Sequence, residues 1–173
     1  MSRNIELKAR VAGLAAVRAR LGAMPRLGEH FLIQTDTFFF VKRGRLKLRQ
    51  LDDGTGELIF YERPDQAEAK LSRYERMPCE DPRVVLRTLS IALGVRGVVR
   101  KRRHVILVGN TRVHLDEVDR LGSFVELEVV LGRHESISSG NKTAADLFHA
   151  LGIPASDLVS CAYIDLLEPL PGL

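Results

Sequence analysis

The chain of 173 residues lacks several features that would assign it to a specialised class of protein. It has only two cysteines, Cys79 and Cys161, without the spacing of a metal-binding motif, so we expect neither a disulfide framework nor a zinc site. No apolar stretch approaches the roughly 20 residues that a membrane-spanning helix needs. The first ten residues contain no apolar core followed by a cleavage site. We therefore expect no secretory signal peptide, no membrane partner and a cytoplasmic location.

Aromatic residues are also scarce, at 6% of the chain with no tryptophan, while the net charge is +4. A mildly positive balance suits an anionic small molecule and does not by itself require nucleic acid. The most basic segment, residues 96–104, could contact a phosphate backbone. However, no aromatic side chains alternate with these basic residues to stack on bases. A nucleic acid is therefore not the expected partner.

The remaining composition, 45% hydrophobic and 28% charged, is typical of a globular protein, and we expect one domain over residues 1–173. Eight segments rich in alternating polar and apolar residues, separated by turn-forming residues, predict strands. These are expected at 4–11, 31–41, 45–49, 57–63, 70–77, 98–108, 112–119 and 124–131. Helices are expected at 14–21, 82–93 and 143–151, followed by a short element that ends at residue 167. The second of these should begin at Pro82 after an N-capping Asp81 and stop at Gly94. Such strands usually close into a barrel or form a sandwich, so we expect an α+β fold with helices on an antiparallel sheet.

Charged side chains occupy the polar positions of several predicted strands and segregate by sign. Residues two apart on a strand share a face, so each set points one way. The cationic set is Arg45, Lys47, Arg49, Lys101 and Arg103, and the anionic set is Asp116, Glu126 and Glu128. A half-solvated sheet explains any one of these strands alone. If the sheet closes with these faces inward, it forms a polar lumen suited to a polyanion and a metal cation.

Several motifs follow one another in an order that is typical of one known family. They are Asn4-Ile5-Glu6-Leu7-Lys8, close to an ExExK signature, Gln34-Thr35-Asp36-Thr37-Phe38-Phe39, Leu46-Lys47-Leu48-Arg49, Tyr61-Glu62-Arg63-Pro64, Lys101-Arg102-Arg103, His114-Leu115-Asp116, Leu121-Gly122-Ser123-Phe124 and Glu126-Leu127-Glu128. On these motifs, which cover nearly the whole chain, the sequence resembles the CYTH superfamily of triphosphate tunnel metalloenzymes. That superfamily includes class IV adenylyl cyclases and thiamine and inorganic triphosphatases. Residues 70–74 and 162–167 are similar to the class IV cyclase-like branch.

The resemblance implies a closed eight-stranded antiparallel β-barrel with helices packed outside it and a triphosphate held along its axis. Carboxylates would bind Mg²⁺ or Mn²⁺, while lysines and arginines would grip the phosphate oxygens. The metal ligands would be Glu6, Asp116, Glu126 and Glu128, although Asp116 could instead pair with His114 or Arg112. The triphosphate-binding residues would be Lys8, Lys47, Arg49, Arg63, Lys70, Lys101 and Arg103, with Ser72 and Arg45 as weaker candidates. The catalytic residues would be Glu6, Lys8, Lys101, Glu126 and Glu128.

The implied function is metal-dependent processing of a triphosphate, resembling the conversion of ATP to cyclic AMP and pyrophosphate by class IV adenylyl cyclase. Hydrolysis of tripolyphosphate or thiamine triphosphate is the alternative. The sequence departs from ExExK at Asn4, whose amide can bind a cation but adds no charge. This departure favours a third interpretation, a polyphosphate-binding or nucleotide-binding protein without turnover. The family also suggests a homodimer.

The histidines outside these motifs carry no spacing that suggests catalysis, and we expect them to be structural or exposed. They are His30, His104, His134 and His149.

Overall fold

The computed structural model describes residues 2–167. The strands are β1 (Ser2–Val11), β2 (Gly28–Phe39), β3 (Arg45–Leu51), β4 (Gly56–Glu62), β5 (Lys70–Cys79), β6 (Val95–Val108), β7 (Thr111–Val118) and β8 (Gly122–Val130). The helices are α1 (Ala15–Gly22), α2 (Pro82–Leu93), α3 (Ile137–Ala150) and α4 (Tyr163–Leu166), with a 3₁₀ turn at Ala155–Asp157. All eight predicted strands are therefore present.

The strands form one closed ring in the order β1-β5-β4-β3-β2-β6-β7-β8, in which β8 pairs with β1. Every pairing in the ring is antiparallel. The expected closed eight-stranded barrel is thus confirmed. In this ring β2 lies opposite β1, which places the strands carrying many of the cations across the lumen from those carrying the glutamates.

The main hydrophobic core lies outside the barrel, between the sheet and helices α1 and α3. Its sheet residues alternate with the charged ones, so that Ile5 and Leu7 flank Glu6, and Leu127 lies between Glu126 and Glu128. Val17 and Leu21 of α1 and Ala144 and Phe148 of α3 cover these apolar side chains. Burying each large aliphatic side chain stabilises the fold by about 1.5–3 kcal/mol. The apolar face of β1 and β8 is directed outward, which leaves their charged face for the lumen.

A smaller hydrophobic cluster lies at one end of the barrel. It consists of Phe38, Val99, Val118, Phe124, Ala162, Tyr163 and Ile164. The α4 helix approaches β6 so closely that a Cβ atom on Gly97 would lie 2.6 Å from Cδ1 of Ile164. A side chain at residue 97 would therefore have to displace at least the end of the Ile164 side chain, which packs in this cluster.

The helices agree with the sequence except at the start of α3. Helix α2 begins at Pro82 after the N-capping Asp81 and stops before Gly94, as expected. Helix α3 begins six residues before the predicted residue 143, because Ser136 caps it and Gly140 packs against Ile5. Serine, glycine and asparagine have low helix propensity, so tertiary packing decides this boundary. Among the helices of the described residues, none is long and apolar enough to cross a membrane.

Strand β2 is shifted towards the amino terminus of the chain relative to the predicted segment 31–41. It begins at Gly28, which pairs with Leu107 of β6, and it ends at Phe39. The register against β6 slips between Phe38 and Phe39. This irregularity ends the strand even though the apolar run of the sequence continues.

Candidate active site

Side chains on the inner face of the barrel line a cavity of about 200 Å³. Its charged lining consists of Glu6, Lys8, Asp36, Lys47, Arg49, Arg63, Arg76, Lys101, Arg103, Arg112, Glu126 and Glu128. The structure therefore brings together every predicted site residue except Lys70 and Asp116. Ser72, a weaker candidate, also lines this cavity. The inward alternation of charged residues on each strand produces this convergence.

One side of the lumen is built around a single carboxylate, and we call it the Asp36 wall (Asp36, Lys47, Arg49 and Lys101). Lys47 Nζ donates to Asp36 Oδ2 at 2.9 Å, and Lys101 Nζ donates to the same oxygen at 2.7 Å. Arg49 donates to both carboxylate oxygens, at 2.8 and 3.0 Å. The register explains the geometry, since Asp36 on β2 lies directly opposite Arg49 on β3. Three cations thus share one anion.

This arrangement shifts the pKa values of the Asp36 wall in opposite directions. Burial alone would raise the pKa of Asp36, but Arg49, Lys101 and Lys47 outweigh it, so this pKa lies well below its usual range. Burial lowers the pKa of Lys101 to about 7, and the neighbouring Arg49, Arg103 and Lys47 act in the same direction against Asp36. Lys101 therefore changes its charge near neutral pH.

The opposite side of the lumen carries three carboxylates on adjacent strands, and we call it the glutamate wall (Glu6, Glu126 and Glu128). In the β1–β8 register Glu6 lies directly opposite Glu128, and Lys8 lies directly opposite Glu126. Like charges at directly opposed positions destabilise a sheet. The Glu6–Glu128 pair therefore calls for compensating positive charge.

In the structure that positive charge comes from arginines and from Lys8. Arg63 Nη1 lies 2.7 Å from Glu6, Arg103 Nη2 lies 2.8 Å from Glu126, Arg112 Nη2 lies 2.7 Å from Glu128, and Lys8 Nζ lies 3.8 Å from Glu126. Burial alone would raise the pKa of Glu126, but Lys8, His114 and Arg103 bring it well below its usual range. Each carboxylate of this wall remains an anion that already has a cationic partner.

Lys8 lies between Glu126 of the glutamate wall and Tyr163 of the smaller hydrophobic cluster. Its ammonium lies 4.0 Å from the centre of the Tyr163 ring and 3.4 Å from the backbone oxygen of Cys161. Burial lowers the pKa of Lys8, although Glu126 opposes this shift. The Lys8 ammonium therefore loses its proton more readily than the ammonium of an exposed lysine.

Asp116 does not line the cavity, although the resemblance suggested it as a metal ligand. It is fully buried, and Arg103 donates to both of its oxygens at 2.6 and 2.5 Å. The Tyr163 hydroxyl donates to it at 2.8 Å. These three bonds hold Arg103 in place beside Glu126 and leave Asp116 enclosed by protein.

Lys70, suggested as a phosphate contact, also lies outside the cavity lining. It is 1% exposed, and its ammonium donates to the backbone oxygens of Gln66, Val159 and Ser160 at 2.7, 3.3 and 2.9 Å. Burial, reinforced by Arg63 and Lys8, lowers the pKa of Lys70 to about 8. In this structure Lys70 ties β5 to the segment before α4.

The basic segment 96–104 is divided between two faces of the barrel. Lys101 and Arg103 are buried in the lumen, whereas Arg100 and Arg102 are exposed on the outside. Arg45, the weaker phosphate candidate, lies at the rim and pairs with Asp165 of α4 at 2.8 Å. The run of basic residues is therefore not one continuous surface.

Several polar atoms facing the lumen have no hydrogen-bond partner within residues 2–167. They are Asn4 Oδ1, Gln34 Oε1, Arg63 Nε and Nη2, and His114 Nδ1. Buried polar atoms are normally satisfied by protein, water or a ligand. Their concentration in one cavity indicates that the lumen accommodates polar molecules.

Four lumen-facing or supporting residues received no role from the sequence. Asp36 lay within a quoted motif, and its period-two spacing with Gln34 and Phe38 could have placed it inward. His114 and Arg112 share a face with Asp116 and were considered only as its partners. Tyr163 follows the last predicted strand, and no periodicity indicates that it returns to the barrel. His30, expected to be structural or exposed, is exposed and contributes to the cavity lining.

The fold and this cavity define a closed antiparallel tunnel domain whose lumen is charged. The model of the CYTH domain family matches residues 2–163, and the chain belongs to this family.

Solved structures share the same architecture. The PH1012 protein from Pyrococcus horikoshii OT3 has a TM-score of 0.83 and 24% identity, covering 95% of this chain and 99% of that one. A Vibrio parahaemolyticus protein named "putative adenylate cyclase" has a TM-score of 0.78 and 17% identity over 94% and 96%. The Hippeastrum protein HpAC1, described as a "putative adenylyl cyclase" with a dominant triphosphatase activity, has a TM-score of 0.65 and 16% identity over 96% and 94%. These likenesses support the fold alone. No curated protein matches the chain in sequence.

Proposed function

We propose that this protein binds a triphosphate together with a divalent cation in the tunnel and cleaves the triphosphate in a metal-dependent reaction. The observation that carries this proposal is the presence of two unlike walls in one closed lumen. Three cations surround one carboxylate at the Asp36 wall, and three carboxylates lie on adjacent strands at the glutamate wall. A polyanion paired with a metal ion complements both walls at once.

The Asp36 wall supplies the grip on the phosphate chain. Lys47, Arg49 and Lys101 carry more positive charge than Asp36 neutralises, and all three lie within 3.0 Å of it. Arginine offers a planar fork that matches phosphate oxygens, while lysine offers a point charge. Arg63 and Arg103 can also bind phosphate oxygens if Glu6 and Glu126, their glutamate partners, bind a metal ion instead.

The donor set of the glutamate wall fits a hard divalent cation such as Mg²⁺ or Mn²⁺. Carboxylate oxygens are preferred ligands of these ions, and Glu6, Glu126 and Glu128 supply them. The unpartnered amide oxygen of Asn4 adds a neutral oxygen where the family signature has an acid. Bound there, the ion would neutralise charge on the phosphate oxygens and activate a water molecule.

Lys8 and Lys101 complete the proposed catalytic group. Lys8 lies beside Glu126 with a lowered pKa, so it can orient the attacking oxygen and exchange a proton with it. Lys101 can stabilise charge on the phosphate chain. Asp116 supports this group by holding Arg103 rather than by contacting the cavity.

Hydrolysis of tripolyphosphate to diphosphate and phosphate is the reaction that the geometry supports best. A cavity of about 200 Å³ is smaller than the roughly 300–1,000 Å³ typical of pockets that enclose whole drug-sized ligands. A phosphate chain fits this space more readily than a complete nucleotide. The dominant triphosphatase activity described for HpAC1 is consistent with this choice.

Cyclisation of ATP is the second candidate. The segments at residues 70–74 and 162–167 resemble the class IV cyclase-like branch, and the Vibrio protein carries a cyclase name. In this reaction the ribose 3′-hydroxyl would attack the phosphorus nearest the ribose, and pyrophosphate would leave. The same phosphate grip serves either reaction, because the difference lies in which phosphorus is near the metal.

An activity screen tests these candidates against each other and against binding without turnover. Purified protein is incubated with Mg²⁺ or Mn²⁺ and with tripolyphosphate, thiamine triphosphate or ATP, and phosphate, pyrophosphate and cyclic AMP are measured. We expect metal-dependent phosphate release from tripolyphosphate. Cyclic AMP with pyrophosphate would instead support the cyclase. Binding of all three compounds with no product would contradict catalysis.

The homodimer and the cytoplasmic location expected from the sequence stay predictions. Light scattering coupled to gel filtration would test the first by giving the mass in solution. Two chains of 19.3 kDa would support the dimer, and one would contradict it.

A further inference from the structure

His114 lies within the glutamate wall, although no motif assigned it a role there. It is on β7, directly opposite Glu126 of β8. Its Nδ1 lies 3.6 Å from Glu126 Oε2, and its Nε2 lies 3.9 Å from Glu128 Oε2. One ligand atom from each of these three side chains falls within 4.8 Å of the others. Atoms that bind one ion at about 2.1 Å each lie roughly 3–4 Å apart, so this spacing needs little adjustment.

The state of the imidazole is a second and independent observation. His114 is 3% exposed, and its Nδ1 has no hydrogen-bond partner within the described residues. A buried nitrogen without a partner is unfavourable unless a ligand or an ion satisfies it. This nitrogen faces Glu126 just beyond hydrogen-bond distance, Nε2 faces Glu128, and His114 lines the tunnel.

We propose that His114 is an additional protein ligand of the divalent metal ion that Glu126 and Glu128 would hold. We further propose that its nitrogen makes the site prefer a first-row transition ion over Mg²⁺. This inference rests on the proposed function only in that the same tunnel holds the metal.

The preference follows from the chemistry of the three donors. Mg²⁺ prefers oxygen ligands, whereas imidazole nitrogen favours transition ions. Arg103 and Arg112 already pair with the two glutamates and reduce the negative charge that would attract a purely electrostatic ligand. A bond from the His114 nitrogen therefore strengthens the binding of a transition ion more than it strengthens the binding of Mg²⁺.

The test measures Mn²⁺ binding to the full chain without any triphosphate, by electron paramagnetic resonance. Free Mn²⁺ gives the affinity, Mg²⁺ competition gives the preference, and pulsed spectra report nitrogen coupled to the bound ion. His114→Gln removes the nitrogen and keeps a polar side chain. His134→Gln, at an exposed position before α3, is the matched control.

We expect the wild type to bind Mn²⁺ at least about tenfold more tightly than Mg²⁺ and to show nitrogen coupling. His114→Gln should lose that coupling and about tenfold in Mn²⁺ affinity, while its Mg²⁺ affinity changes by less than about threefold. His134→Gln should match the wild type. Nitrogen coupling that persists in His114→Gln, or equal losses for both ions, would overturn the inference.

A labelled wild type keeps the test decisive if His114→Gln does not fold. With ¹⁵N-histidine, the coupled nucleus should change from ¹⁴N to ¹⁵N, and absence of any histidine coupling would overturn the inference. Because no triphosphate is present, these results are independent of turnover. Failure of the activity screen with intact nitrogen coupling would reject only the proposed reaction, whereas turnover without that coupling would reject only the role of His114.

Discussion

The two walls of the tunnel contain the same kinds of side chain but balance their charges differently. At the Asp36 wall one carboxylate is shared by Lys47, Arg49 and Lys101, so positive charge is in excess. At the glutamate wall each carboxylate has its own cation, and the imidazole of His114 lies among them. The residues of both walls are buried or half-buried and come from strands with the same alternation. The difference therefore arises from register, which decides how many cations reach each acid.

This difference indicates how a ligand would enter the lumen. An anion can bind at the Asp36 wall without displacing a partner, because that wall carries excess positive charge. A cation must compete with arginines at the glutamate wall, and those arginines become available for phosphate when a metal ion displaces them. Acids thus have unlike duties in the two walls. Asp36 holds three cations in place, whereas under the proposed function the glutamates exchange their arginine partners for a metal ion.

The largest effect should come from removing the single acid of the Asp36 wall. Asp36→Asn leaves the buried Lys101 and the half-buried Lys47 and Arg49 without a counter-ion, and we expect the free energy of unfolding to fall by about 3–5 kcal/mol. Chemical denaturation measures this loss. Asp146→Asn, which breaks an exposed pair with Lys142 on α3, should cost about 0.5 kcal/mol or less. Added tripolyphosphate should restore stability to Asp36→Asn more than to the control. Equal stability of the two variants would mean that the Asp36 wall does not concentrate charge as described.

Removing an acid from the glutamate wall should instead affect activity. Glu128→Gln keeps the side-chain shape, and its carboxylate is partly accessible, so the fold should remain intact. We expect metal-dependent turnover to fall by about 100-fold or more, because a direct metal ligand is lost. Glu117→Gln, an outward position on β7, provides the matched control. Steady-state rates in Mn²⁺ measure the effect, and near-normal turnover in Glu128→Gln would remove this residue from the site.

A smaller effect should appear in the pH dependence of binding. The pKa of Lys101 is about 7 in the free protein, so this cation is present below that pH and is lost above it. Tripolyphosphate favours the protonated form, and its affinity should therefore fall as pH rises above 7, by at most about tenfold per unit. Lys101→Arg stays charged and should flatten this fall. Titration calorimetry at several pH values compares the two slopes, and identical slopes would show that Lys101 does not titrate in this range.

The strands could be predicted from the sequence because polar and apolar residues alternate so regularly along them, whereas closure into a barrel rather than a sandwich was implied by the resemblance to the CYTH superfamily. Glu6 with Lys8, and Glu126 with Glu128, alternate with apolar residues whose burial outside the barrel fixes which face turns inward. The predicted Asp81 cap and Gly94 stop of α2 were confirmed for the same reason, since they are local signals. Local chemistry and periodicity were sufficient for these elements.

The partners inside the lumen could not be predicted, because they depend on register and on distant segments. Asp36 acquires its three cations only when β3 and β6 flank β2. Lys70 and Asp116 have the right charge and the right strand, yet the returning segment that contains Ser160 and Tyr163 encloses them. The spacing of residues within a strand does not predict that this carboxyl-terminal segment packs back against the barrel.

Under the proposed function, the tunnel grips a chain of phosphates along its charged walls. Calorimetric titration of phosphate, pyrophosphate and tripolyphosphate is done without metal, so that no turnover can occur. We expect the affinity to rise by about tenfold or more with each added phosphate. We also expect Lys101→Glu to weaken tripolyphosphate binding far more than phosphate binding. Equal affinity for all three anions, or equal losses in the variant, would show that the tunnel does not bind several phosphates at once.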